Sequence, residues 1–298
     1  MLWRMTRPGF LLVTVVACVL GMATAAACGC GFDALKAAVT VVLALMAHAG
    51  ANVLNDACDA ANGADAANTA PLRPFSGGSR LIQQGRVTLA QTRQWAWTLL
   101  ALSAMGGLWL AVQSSGALLA LGAAGLLLGW AYSAPPLRLM SRGWGEVVVA
   151  LAWWGVVVGA DLVQRERFFL IPAVAAVSFA VLVANILLVA GLPDARADAS
   201  VGKRTLAVRL GPQGVVLVSG ALVLLAHGWL AATVWALIPP ASAIWGLWSL
   251  PLSLAGWWWL LRHRHAPARL GWAMGLGIAA AVVHGLAMAA GVLQATQV

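Results

Sequence analysis

Charge is what this chain has least of. Its 298 residues include 18 lysines and arginines and 9 aspartates and glutamates, together 9%, against 62% hydrophobic residues. A soluble globular domain carries about a quarter charged residues, so that class is excluded and a polytopic membrane protein is indicated. Cysteine is sparse as well, with four in all. The Cys28-Gly-Cys30 loop is too short for an ordinary disulfide and offers too few ligands for zinc, so no redox or zinc role is expected. The five histidines show no metal-ligand spacing with cysteine or glutamate. His48, His227 and His284 lie in apolar runs and His263 and His265 in a basic connection, which reads as packing or interface. The net charge of +9 is spread over short connections between apolar runs. That pattern orients a membrane protein rather than binding nucleic acid, and no protein partner is implied.

What is present is a series of apolar runs, each near the length a helix needs to cross about 30 Å of hydrocarbon. They cover residues 10–27, 34–54, 95–112, 117–131, 147–163, 168–192, 215–237, 243–261 and 270–293, which predicts nine spans. Pro135-Pro136 stops the fourth, because proline lacks the helical donor and disfavours a helical residue before it. With the amino terminus inside, fifteen of the eighteen basic residues fall on the cytoplasmic side, leaving Lys36, Arg165 and Arg167 outside. This is a strong positive-inside signal for a multi-pass protein of the plasma (inner) membrane. Tryptophan clusters such as Trp257-Trp258-Trp259 near span ends read as interfacial belts, with a few left to line a cavity where a π-face would steady a cation.

The scarce acids are not spread evenly. Five of the nine are Asp56, Asp59, Asp65, Asp194 and Asp198. On a helix, Asn52, Asn55, Asp56 and Asp59 are related by steps of three and four residues and share a face, and Asp194 and Asp198, four residues apart, do the same on a later segment. Asparagine and aspartate at a helix end also serve as caps and turn residues. Two facing rows in so acid-poor a chain instead suit a hard cation, Mg²⁺ above all, which binds a few carboxylates and completes its shell with water and phosphate oxygens. The implied ligand is a diphosphate. Between the rows lies Arg73-Pro-Phe-Ser-Gly-Gly-Ser-Arg80. Its glycines allow backbone amides to approach an anion and its arginines offer donors, although a solvated turn with orienting charge has the same composition.

Three stretches together resemble the UbiA-type intramembrane aromatic prenyltransferases. They are Asn55-Asp56-Ala57-Cys58-Asp59 with Asp65, then Tyr132-Ser133-Ala134-Pro135-Pro136-Leu137 followed by Arg142-Gly143-Trp144-Gly145-Glu146, and Asp194-Ala195-Arg196-Ala197-Asp198 followed by Gly202-Lys203-Arg204-Thr205-Leu206. The resemblance implies one domain over residues 1–298, an all-α bundle of about nine transmembrane helices around a cytoplasm-facing central cavity. It implies Mg²⁺-dependent transfer of a polyprenyl chain from its diphosphate to a small aromatic acceptor. Asn55, Asp56, Asp59, Asp194 and Asp198 would hold the metal, with the four aspartates catalytic. Asn52, Arg73, Arg80 and Lys203 would contact substrate, and Tyr132 and Ser133 would stand at the cavity mouth. The Ala-Ala-Ala-Cys28 ending of the first run has the look of a cleavage site, but the resemblance expects that span to be retained. Two departures stand out: the usual third aspartate of the first motif is Gly63, with Asp65 following, and Ala57 replaces an aromatic residue. The Gly-x-Asp form is similar to the branch that prenylates dihydroxynaphthoate on the way to menaquinone, with 4-hydroxybenzoate or another phenol as the alternative acceptor. A transporter would place acids at midplane, and a nucleotide-alcohol phosphotransferase would keep its aspartates in one motif; this chain does neither.

Overall fold

The computed structural model describes residues 2–29 and 31–295, and among these the regular structure is entirely helical. Ten α-helices run in order: α1 Pro8–Ala26, α2 Ala34–Asn62, α3 Ala64–Ala67, α4 Leu89–Gln113, α5 Gly116–Ser133, α6 Gly145–Arg165, α7 Leu170–Ser200, α8 Leu206–Trp235, α9 Leu250–His263 and α10 Gly271–Gln294. All but α3 and α9 are long and apolar enough to cross a membrane, so the chain is an integral membrane protein. Local chemistry sets many of the boundaries. Pro8 opens α1, where its missing N–H costs nothing. Asp33 caps α2 by accepting from the Lys36 amide, and Thr88 with Gln91 forms a reciprocal capping box on α4. Gly63, with φ of +87°, ends α2 in the left-handed conformation that glycine tolerates best.

Two spans run further than hydropathy predicts. Helix α2 continues to Asn62 rather than stopping near residue 54, and α7 continues to Ser200. Both aspartate rows are therefore carried on the final turns of long, rigid helices. The expected span at 243–261 departs from the prediction in another way. It is a 3-10 segment, Ala241–Ser249, followed by the 14-residue α9. Together these reach roughly 39 Å at about 2.0 and 1.5 Å per residue. They lie antiparallel along α10 throughout: Ser242 donates to the Gly291 carbonyl at 2.5 Å, Ser249 meets His284 at 3.1 Å, and Gly256 approaches Leu276.

Helix α7 is the hub. Its Phe179, Leu182, Val183 and Ile186 pack with Val13, Val16 and Leu20 of α1, Val157 of α6, Leu230 of α8 and Met288 of α10. Gly285 lets α10 press against Val16 and Phe179, since a Cβ there would lie 3.0 Å from the Phe179 ring. Elsewhere large apolar side chains face outward, as with Val112, Leu217 and Trp235, which suits a lipid surround. The starts of α1, α6 and α8 and the ends of α2, α5 and α7 gather on one face. The opposite face is tied by Asp161, which takes two bonds from Arg165 (2.5 and 3.0 Å) and one from Thr24 (2.8 Å). Cys18 and Cys58 are free, whereas Cys28 is disulfide-bonded, which corrects the expectation for this loop; Cys30 lies outside the described residues.

Candidate active site

The two rows meet. Lys203, just beyond α7, places its Nζ 2.9 Å from Asp59 Oδ1 on α2 and 2.9 Å from Asp198 Oδ1 on α7. Burial favours loss of the Lys203 proton, but Asp59 and Asp198 outweigh it and hold the pKa above the ordinary lysine value. Asn55 donates to Asp59 Oδ2 (3.2 Å) and to Ser133 Oγ (3.1 Å), so the Tyr132-Ser133 stretch is hydrogen-bonded to the first aspartate row. Asp194 accepts from Asn68 Nδ2 at 2.7 Å and from the Gly77 amide at 3.0 Å. The glycine loop is thus folded onto the second row. Gly77 and Gly78 both have positive φ, and a Cβ on Gly78 would stand 2.8 Å from the Asp65 carboxylate. Asp65 itself is buried, and burial first, then Asp59 and Asp56, push its pKa up to about 7.

Several of the expected site residues stand off the chamber lining. Asp56 does not line the chamber between the rows: Oδ1 is ion-paired with Arg7 at 2.8 Å and Oδ2 accepts the Ser79 amide at 3.1 Å, so both oxygens are engaged in scaffolding. Arg80, in the left-handed conformation, turns its guanidinium onto the backbone carbonyls of Asp65 and Asn68 and braces the loop instead of facing the rows. Arg73 is exposed and stands off the chamber lining. Ser133 is buried behind Asn55. Asn52 uses its Nδ2 on the Thr6 carbonyl (2.9 Å) and faces the apolar cavity below. Tyr132 lines both spaces.

Arg7 lines the chamber, whereas Arg73 and Arg80 do not. It donates to Asn55 Oδ1 (2.9 Å) as well as Asp56 and lines both the polar chamber and the apolar cavity. Although burial works against its charge, Asp56 raises its pKa further above the ordinary value. In sequence Arg7 looks like an orienting charge before the first span. Its position directly before Pro8 at a helix start was the available signal. Asn68 and Phe75, also on the lining, carry no sequence signal.

The chamber, of about 60 Å³, opens into an apolar cavity of about 220 Å³ between α1, α2, α5, α6 and α7. That cavity shares Ala44, Ala47, Gly125, Ala152 and Val156 with a further apolar space of about 550 Å³ between α2, α4, α5 and α6. The chamber's donor set is all oxygen, from Asn55, Asp59, Asp194 and Asp198, and a cationic group already stands between the rows. Among the described residues no three acidic or imidazole groups converge on one point. An ion held here would take one or two protein oxygens and complete its shell from water and phosphate, which fits Mg²⁺.

The model of the UbiA prenyltransferase family matches residues 11–274. The chain is 32% identical over 227 residues to the 1,4-dihydroxy-2-naphthoate octaprenyltransferase of Mycobacterium tuberculosis, covering 74% of this chain and 72% of that one. It is 25% identical over 241 residues to the Bacillus subtilis protein of the same name, covering 78% and 73%. Among solved structures, a UbiA homolog from Archaeoglobus fulgidus bound to DMAPP and Mg²⁺ superposes with a TM-score of 0.65 at 15% identity, over 97% of this chain and 99% of that one. An apo UbiA homolog from Aeropyrum pernix gives 0.63 at 15% identity, over 92% and 96%. At that identity the structures speak for the fold, and the family model and curated relatives speak for descent: this chain is a membrane prenyltransferase of the UbiA family.

Proposed function

We propose that the chain, as a single domain over residues 1–298, transfers a polyprenyl group from its diphosphate to 1,4-dihydroxy-2-naphthoate, a step towards menaquinone, at the cytoplasmic face of the plasma (inner) membrane. The observation that carries this is the Lys203 bridge between Asp59 and Asp198 at the mouth of a long apolar cavity. A cationic head site joined to an apolar tunnel fits a lipid diphosphate. Asn55 and Asp59 on one side and Asp194 and Asp198 on the other would hold Mg²⁺, which when bound neutralises the diphosphate as the carbon–oxygen bond breaks. Lys203 and Arg7 donate charge-assisted hydrogen bonds to the leaving diphosphate. The apolar walls, Phe10, Val13, Trp153, Ile186 and Leu187 among them, keep water from the allylic cation until the electron-rich ring attacks it, after which the attacked carbon loses a proton, or its carboxyl group as CO2, to restore aromaticity. The prenyl tail continues into the space between α2, α4, α5 and α6.

The naphthoate is supported by the names of the curated relatives and by the Asn-Asp-x-x-Asp-x-x-x-Gly-x-Asp form from Asn55 to Asp65. Cytoplasmic orientation is supported by the fifteen basic residues assigned to the site's side. Purified protein given Mg²⁺, a long prenyl diphosphate and each acceptor in turn is expected to prenylate the naphthoate and to lose activity with chelator. Prenylation of 4-hydroxybenzoate with the naphthoate untouched would overturn the acceptor assignment, and undiminished turnover in chelator would overturn the metal.

A further inference from the structure

The apolar cavity below the diphosphate chamber contains, away from its chamber end, two polar groups that a prenyl tail cannot satisfy, the His48 ring and the indole N–H of Trp153. His48 lies on α2 seven residues before Asn55, about 10 Å deeper at 1.5 Å per residue, and its ring lines the cavity. The ring is fixed on two sides. Nδ1 is 2.8 Å from Thr14 Oγ1 on α1, and Trp153 of α6 meets it edge-on with centroids 4.8 Å apart. Nε2 makes no hydrogen bond among the described residues.

Thr14 decides which nitrogen carries the proton. Thr40, Thr98 and Thr233 each donate to the carbonyl four residues before, on their own helix. Thr14, 1% exposed, makes no such bond, and His48 is its hydrogen-bond partner. The arrangement that leaves no buried hydroxyl unpaired has Thr14 donating to Nδ1, which puts the ring proton on Nε2. The other polar residues of this cavity apart from Thr14 and Trp153, namely Arg7, Asn52, Asn55 and Tyr132, belong to its chamber end or lie one turn from it.

We propose that the His48 Nε2–H donates to an oxygen substituent of the aromatic acceptor, making His48 a specificity-determining contact for the acceptor and not for the prenyl diphosphate. Trp153 beside it supplies a flat wall for the ring, and its buried Nε1–H has no hydrogen-bond partner among the described residues. The proposal rests on the prenyl-transfer reading above. Full-length wild type, His48→Leu, His48→Gln and Thr14→Val are compared in Mg²⁺ with a long prenyl diphosphate and 1,4-dihydroxy-2-naphthoate, and KM is measured for each substrate separately. His48→Leu is expected to raise the acceptor KM about tenfold or more while the diphosphate KM stays within about twofold. His48→Gln, which returns an N–H near the same place, should recover most of that loss. Thr14→Val, which frees the tautomer, should fall between wild type and His48→Leu and carries the test if His48→Leu does not fold. An unchanged acceptor KM in the variants, a parallel rise in both KM values, or no recovery with glutamine would overturn the assignment while leaving prenyl transfer intact. Wild type that prenylates no aromatic acceptor would overturn both.

Discussion

Asp56 and Asp59 are three residues apart on one helix and look equivalent in the motif, yet they face different partners. The Asp56 side chain is 2% exposed and neutralises Arg7, whereas Asp59 points at Lys203 across the chamber. Their loss should therefore be felt in different quantities. Asp59→Ala and Asp198→Ala are expected to lower kcat about 10²-fold or more, the scale of losing a transition-state electrostatic contact, with little change in thermal stability. Asp56→Ala leaves the Arg7 guanidinium largely buried without its counter-ion and should cost about 3 kcal/mol of stability, seen as a lower unfolding midpoint in detergent. Near-normal turnover in Asp59→Ala at saturating Mg²⁺ would remove that residue from the site. A stable Asp56→Ala would show that Arg7 is held by Asn55 alone.

At the scale of elements, the composite of the 3-10 segment and α9 needs explanation, since 3-10 runs beyond three or four residues are uncommon. It is tied to its neighbours by a chain of buried polar contacts: His227 Nε2 to Ser249 Oγ at 2.9 Å, Ser249 Oγ to His284 Nδ1 at 3.1 Å, and His284 Nε2 to Ser178 Oγ at 2.9 Å. These link α8, the end of the 3-10 segment, α10 and α7. Ser249 and His284 both also approach the Gly246 carbonyl inside the segment, at 2.8 and 3.0 Å. His284→Leu breaks the chain and should cost about 1–3 kcal/mol for polar partners left unsatisfied. Thermal unfolding should register the loss, with KM for both substrates unchanged because the chain lines neither the chamber nor the cavity. A shift in KM without a shift in midpoint would mean that α7 transmits the change to its aspartates.

For the whole molecule, the amino-terminal Arg7 shares the chamber with the ends of α2 and α7, while the end of α10 lies beside Ser242 at the far end of the 3-10 segment. Arg7 and the end of α10 thus lie on opposite faces, as an odd number of crossings would require. Reporter fusions after Arg86 and after Gln294 are expected on opposite sides, with Arg86 cytoplasmic. Finding both on one side would remove the nine-crossing topology.

Periodicity and composition determined a good deal of this protein without any coordinates. Oxygen ligands at three- and four-residue steps had to share a helix face, apolar runs of membrane length had to become helices, and the clustering of scarce acids marked where they would meet. Only the tertiary structure separated Asp56 from Asp59, because which side of α2 receives Arg7 depends on how α1 packs, and local pattern does not encode that. The same holds for Arg80, whose left-handed backbone turns it onto its own loop. It holds for His48 too, a helical histidine like any other until Thr14 and Trp153 close around it. In a membrane chain, side chains facing lipid, core and substrate tunnel are alike in hydrophobicity, so the sequence marks the oxygen-rich head site while packing alone decides where the cavity runs.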